Sequence, residues 1–173
     1  TNTAIAGAFG SIAAMLYITR KTGKPDPGMM VNGMLAGLVA ITAPCAFVDP
    51  WAAAVIGTIA AVLIIEAVYF FERRGIDDPV GAISVHGVGG LFGLLSVGVF
   101  ANGTYGAGWN GSTSEGVKGI IKGDWGQLGA QALGAEGGGR RRQGERAQEE
   151  PYPALGAGRP AAGPWGRLPS GCA

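Results

Sequence analysis

The chain has 173 residues, of which 47% are hydrophobic and 14% charged, whereas about 25% of the residues are charged in an ordinary soluble domain. This composition argues against a soluble globular protein, and a net charge of +1 provides no basic surface for nucleic acid. One histidine, His86, and two separated cysteines, Cys45 and Cys172, make no metal or nucleophile motif. We therefore expect neither a self-contained enzyme nor a bound cofactor.

Four uncharged apolar runs are long enough to cross a membrane as helices. About 20 residues at 1.5 Å per residue cross the roughly 30 Å hydrocarbon layer, and these runs lack the alternation that is typical of strands. The sequence therefore predicts an all-α membrane protein, a polytopic helix bundle with four complete spans and a truncated fifth. The complete spans are residues 1–19, 28–48, 51–71 and 79–101.

The fifth apolar segment begins near Trp125 and breaks off after Ala135. Residues 136–173 contain six of the thirteen basic and four of the twelve acidic residues, together with many glycines and prolines, a composition typical of disorder. Two interpretations remain: a soluble tail, or a shift of the reading frame between Leu133 and Glu136, which the abrupt break favours. Because the chain begins at Thr1 without an initiator Met or a basic leader, we expect it to be a segment of something longer.

Basic residues in the connections predict the orientation of the spans. Arg20, Lys21 and Lys24 follow the first span, and Arg73 and Arg74 follow the third. The positive-inside rule places both of these connections in the cytoplasm. The first and third spans then run inward, and the second and fourth run outward.

Two ionisable side chains lie inside the predicted spans, where a fixed charge costs roughly 2.5 to 3.5 kcal/mol. Glu66 is near the inner end of the third span, where we expect it to reach water or the arginines that follow. His86 is about 10 Å into the membrane at the helical rise, with no charged residue in its own span.

Histidine suits a buried route because its neutral ring can both accept and donate a hydrogen bond. Two interpretations of His86 stay open: it lines a pathway for a proton or a small polar molecule, or it packs against another helix. Helical spacing places Gly90, Gly93 and Val97 on the same face as His86. That stripe is small enough for either interpretation.

A specific motif begins just before the fourth span. Residues 77–90 read Asp-Asp-Pro-Val-Gly-Ala-Ile-Ser-Val-His-Gly-Val-Gly-Gly, and this run closely resembles the ammonium transporter family, whose Rhesus-type relatives share the fold. The resemblance covers nearly all of residues 1–135 and none of the tail. Further similar runs are residues 24–26, 32–33, 35–39, 41–45, 100–103 and 124–128.

The resemblance implies a trimer of eleven-helix subunits, to which residues 1–135 would supply helices seven to ten and the start of eleven. In the family, ammonium gives up its proton and crosses as ammonia past two neighbouring pore histidines, and His86 looks like the second of them. The resemblance further implies residues that face or flank the pore and residues that fix the inner end of the helix. The first group is Ala82, Ile83 and Val85, and the second is Asp77 and Asp78.

We therefore expect part of a multi-pass ammonium or ammonia transporter of the cytoplasmic membrane, with a regulatory protein as a possible partner at the inner face. The first histidine and the outer recruiting site belong to helices outside this chain, so we expect that the chain alone does not transport. The rival hypothesis is a non-transporting membrane interaction protein in which His86 only packs. A Rhesus-like gas channel is less favoured because the matching residues are of the ammonium transporter type.

Overall fold

The computed structural model describes residues 1–78, 80–104 and 116–135, and these ranges are mostly helical. Three helical stretches among them are long and apolar enough to cross a membrane: α1 (Asn2–Thr22), α3 (Pro50–Arg73) and a continuous stretch over Ile83–Phe100. The predicted helical membrane class is confirmed at this level. The predicted tail lies outside the described residues.

α1 extends three residues beyond its predicted end. Its last turn contains Arg20 and Lys21, whose positive charges complement the negative end of the helix dipole. Gly23 then ends the helix in a left-handed conformation, with φ of 76°, and its N–H donates to the carbonyl of Thr19 at 2.8 Å.

The second apolar run is helical over only part of its predicted length. α2 (Pro27–Ala40) begins at Asp26, whose side chain accepts from the N–H groups of Gly28 and Met29 at 2.8 and 3.2 Å. It ends at Ala40 because Pro44 has no N–H to donate to the Ala40 carbonyl and disfavours helix in the residue before it. At 14 residues, or about 21 Å, α2 is too short to be the complete span predicted over 28–48.

Turns over residues 41–47 replace the second half of that run. Carbonyl groups in and just after these turns accept hydrogen bonds from residues that are distant in the sequence. The side chain of Asn2 donates to the carbonyls of Cys45 and Val48 at 2.9 and 2.8 Å, and the backbone N–H of Asn102 donates to the carbonyl of Phe47 at 2.8 Å. These bonds join the start of α1 and the end of the last crossing helix to the same turn.

Small residues allow the first three helices to pack closely. A Cβ atom placed on Gly57 of α3 would lie 2.2 Å from the carbonyl oxygen of Ala6, and one on Gly37 of α2 would lie 2.3 Å from the same atom. Glycine is therefore required at both positions for the backbones to approach α1. Ile41, Ile56 and other fully buried side chains fill the core beside this contact.

The last crossing stretch consists of a π-helical segment (Ile83–Val88) that runs directly into α4 (Gly89–Phe100). It starts later than the predicted residue 79 because Gly81 adopts a left-handed conformation, with φ of 68°, which ordinary helical backbone does not have. Residues 126–135 are helical, in agreement with the predicted start of a fifth helix near Trp125. Leu128 of that helix lies against Gly98 of α4.

Candidate functional site

A buried carboxylate caps the π-helical segment. Asp78 is 5% exposed; its Oδ1 accepts from the N–H of Ile83 at 3.0 Å, and its Oδ2 accepts from the N–H and Oγ of Ser84 at 3.1 and 2.9 Å. Burial raises the pKa of Asp78, but these donors lower it by more, so the net pKa is below its usual value. Asp77, beside it, is exposed.

The π-helical segment differs from an α-helix in its hydrogen bonding. The N–H of Gly89 donates to the carbonyls of both His86 and Ser84, and the bond to Ser84, five residues earlier, is the π-helical pattern. Such a bond encloses more residues per turn than the 3.6 of an α-helix. The side chains of the segment therefore do not follow α-helical spacing.

The segment presents one open face. Ala82 and His86 are exposed, and Ile83 is 47% exposed. A Cβ atom placed on Gly87 or Gly90 would meet nothing within 4 Å. The structure thus brings Ala82, Ile83 and His86 together on one side of a membrane-crossing helix.

Val85 lies on the opposite side from that face. It is 2% exposed and belongs to the main core cluster, so it does not share the open face with the other three residues. The stripe expected from α-helical spacing also divides. Gly90 stays on the open side, whereas Gly93 packs against the backbone of Ala40 and Val97 is buried.

The imidazole of His86 makes no hydrogen bond or ion pair with any other residue of 1–78, 80–104 and 116–135. The same ranges contain no group of three His, Cys, Asp or Glu side chains that could hold a metal ion. The neighbours of His86 in sequence are Val85, Gly87 and Val88, which carry no charge. This arrangement can offer a hydrogen bond to a small molecule but has no charge to hold an ion.

Glu66 has a different partner from the one expected. It pairs with the Lys21 ammonium and accepts from the hydroxyl of Tyr17, both on α1, and its side chain is 48% exposed. The Lys21 nitrogen also lies 4.4 Å from the ring centroid of Tyr69. Sequence reasoning missed this cluster because Lys21 and Glu66 are 45 residues apart and no local pattern relates them.

Comparisons with known proteins place this arrangement in a family. The family model described as Ammonium Transporter Family matches residues 1–137. The chain belongs to the ammonium transporter family. The resemblance found in the motif of residues 77–90 is therefore confirmed. The family consists of multi-pass membrane proteins, and the named relatives are transporters rather than enzymes.

Individual members of the ammonium transporter family are similar over most of residues 1–135. The chain is 47% identical over 135 residues to ammonium transporter Amt2 of Archaeoglobus fulgidus, covering 78% of this chain and 28% of that protein. It is 41% identical over 102 residues to a putative ammonium transporter of Synechocystis, covering 58% of this chain and 23% of the relative.

Solved structures of the family have the same fold. The structure of a protein called Sensor Amt Protein matches with a TM-score of 0.64 and 41% identity, covering 77% of this chain and 30% of that one. Mep2 of Saccharomyces cerevisiae matches with a TM-score of 0.68 and 33% identity, covering 77% of this chain and 30% of the Mep2 chain. The chain thus spans less than a third of the length of these relatives.

Proposed function

We propose that this chain is part of a transporter that moves ammonium or ammonia across the cytoplasmic membrane, and that His86 lines its pathway. One observation carries the proposal: the only histidine of the chain stands on the open face of a membrane-crossing helix in a member of the ammonium transporter family. Ala82 and Ile83 flank the pathway on the same face. Val85 supports that face from the core side.

The chemistry of the open face suits a small neutral amine. Ammonium is an ion, and an apolar wall rejects ions because they lose their hydration. Ammonia that leaves water loses hydrogen bonds instead, and the neutral imidazole of His86 can replace one of them as acceptor or donor. We therefore expect ammonium to release its proton before passing His86, with the proton carried or returned separately.

Assembly and regulation belong to the same proposal. The complete protein forms a homotrimer in the lipid bilayer, as the resemblance implies, and a regulatory protein docks at its inner face. A relative of the same fold is called Sensor Amt Protein, and a sensory member of the family supports a search for such a partner. The basic ends of α1 and α3 mark the cytoplasmic side.

The test is uptake of labelled methylammonium by the complete gene product in cells that lack other ammonium transporters. We expect His86→Ala to abolish selective uptake, because the apolar wall then offers no hydrogen bond to the dehydrated amine. Val31→Ala is the matched control, since Val31 is an exposed side chain of α2, and it should leave uptake unchanged. Equally selective uptake by His86→Ala would instead make His86 a packing residue with no part in the pathway.

A further inference from the structure

The π-helical segment is held by a serine to which the proposed function gives no role. Ser84 is fully buried, and both its N–H and its hydroxyl donate to Oδ2 of Asp78. Its carbonyl accepts the five-residue bond from Gly89. Ser84 therefore connects the cap before the segment to the first residue of α4 after it.

The width of the turn decides where His86 points. In an α-helix three residues advance by about 300°, so His86 would lie only about 60° around the helix from Gly89. Gly89 is buried, against the side chain of Ile64. Bonds between residues five apart reduce the advance per residue, so the angle from Gly89 to His86 grows and the imidazole turns away from the core.

A π-helical turn needs support from its surroundings. Such turns are rare, occur mostly as single turns inside α-helices and are frequent at functional sites. In this chain the support is local, because Asp78 holds Ile83 and Ser84 by their N–H groups and Ser84 by its hydroxyl. The hydroxyl is the one of these three donors that a side-chain substitution removes.

We propose that Ser84 is a positioning residue for His86: its bonds to Asp78 and Gly89 hold the π-helical register that turns the imidazole onto the open face. Its importance for transport rests on the proposed function, because a pathway needs the imidazole on that face. The geometry itself involves only Ser84, Asp78, Gly89 and His86. It can therefore be tested without measuring transport.

The experiment measures the reactivity of His86 in the complete 173-residue chain, purified in detergent micelles. Diethyl pyrocarbonate modifies exposed imidazole rings, and His86 is the only histidine, so the absorbance of the product reports this residue alone. In Ser84→Ala we expect the segment to rewind toward an α-helix. Modification should then slow by about tenfold or more, given what a hydrogen bond to a charged group contributes. Ser84→Thr keeps the hydroxyl and should restore the rate.

Ser96→Ala is the matched control. Ser96 is 2% exposed, lies on α4 and donates its hydroxyl to the carbonyl of Phe92 at 2.8 Å. The substitution removes an equally buried hydroxyl that has no part in the cap. We expect the wild-type rate of modification, and a slowing equal to that of Ser84→Ala would contradict the proposal.

A second readout separates positioning from stability alone. Labelling the chain with ¹⁵N-histidine gives imidazole resonances of His86 only, and we expect them to shift in Ser84→Ala and return in Ser84→Thr. If circular dichroism shows that Ser84→Ala does not fold, Ser84→Cys keeps the volume with a weaker donor and should show the same slowing and shift. If Ser84→Ala or Ser84→Cys folds and shows the wild-type rate of modification and the wild-type imidazole resonances, the proposal is overturned.

The two proposals fail in different ways. Selective methylammonium uptake by His86→Ala would remove the pathway role but leave the effect of Ser84 on His86 reactivity intact. Unchanged reactivity in the Ser84 variants would remove the positioning role and leave the uptake result unaffected. Neither measurement depends on the other.

Discussion

At the scale of single residues, Asp78 is 5% exposed and is nevertheless held in its charged form. Two backbone N–H groups and one hydroxyl surround its carboxylate, and such charge-assisted bonds offset the loss of water. The motif alone indicated that Asp77 and Asp78 sit at a helix end. Only the structure separates the buried cap, Asp78, from its exposed neighbour, since the distinction depends on which carboxylate accepts from Ile83 and Ser84.

We predict that Asp78→Asn lowers the free energy of unfolding by about 1–3 kcal/mol at neutral pH. The amide places an N–H₂ group where an oxygen now accepts from Ile83 or Ser84. Thermal unfolding of the purified chain, followed by circular dichroism, measures the change. Asp77→Asn is the control, because Asp77 is exposed, and it should unfold at nearly the wild-type temperature.

The difference between wild type and Asp78→Asn should depend on pH. Because the pKa of Asp78 is lower in the folded chain than its usual value, its charged form stabilises the fold fully above the unfolded pKa of about 3.9. That contribution disappears as the pH falls through the lower folded-state pKa. The two unfolding temperatures should therefore converge below about pH 4, and a constant difference down to pH 2 would contradict this assignment.

At the scale of elements, the sequence predicts α3 best. Its predicted bounds, 51–71, are within two residues of Pro50–Arg73, because a proline and charged residues enclose one apolar run. α2 is predicted poorly, since hydropathy does not distinguish helix from apolar turns around Pro44. The π-helical segment could not be predicted from periodicity, because it depends on a cap formed by residues outside the regular repeat.

Close packing of α1 against α3 supplies a prediction at this scale. Gly57→Ala places a methyl group 2.2 Å from the carbonyl oxygen of Ala6, so the helices must separate, at a cost of about 1–3 kcal/mol. Gly129→Ala is the matched control, since a Cβ there meets nothing within 4 Å and alanine favours helix. Thermal unfolding in micelles should distinguish the two, and equal stability would contradict the close contact.

At the scale of the whole molecule, the chain has the fold of the ammonium transporter family but covers less than a third of the relatives' length. The open face of His86 is a wall of the proposed pathway, and residues 1–135 supply one histidine. The first histidine of the family pattern could not be located from this sequence, because His86 is the only one. A transport pathway also needs walls on its other sides.

We predict that the 173-residue chain, expressed alone with a membrane tag, does not restore growth on limiting ammonium in cells that lack ammonium transporters. One imidazole on an open face neither excludes lipid nor encloses a dehydrated amine. A complete transporter expressed from the same vector serves as the positive control, and immunoblotting of membranes verifies that the chain is present. Clear rescue by the chain would show that it assembles a pathway by itself.

The turn over residues 41–47 has a consequence for biogenesis. The carbonyls of Cys45 and Val48 accept from Asn2, which is synthesised before them, whereas the carbonyl of Phe47 accepts from Asn102, which is synthesised after it. Asn102 is synthesised more than fifty residues after Phe47, and the last crossing helix, which ends at Phe100, lies between them. The hydrogen bond between Asn102 and Phe47 can therefore form only after the last crossing helix has been synthesised.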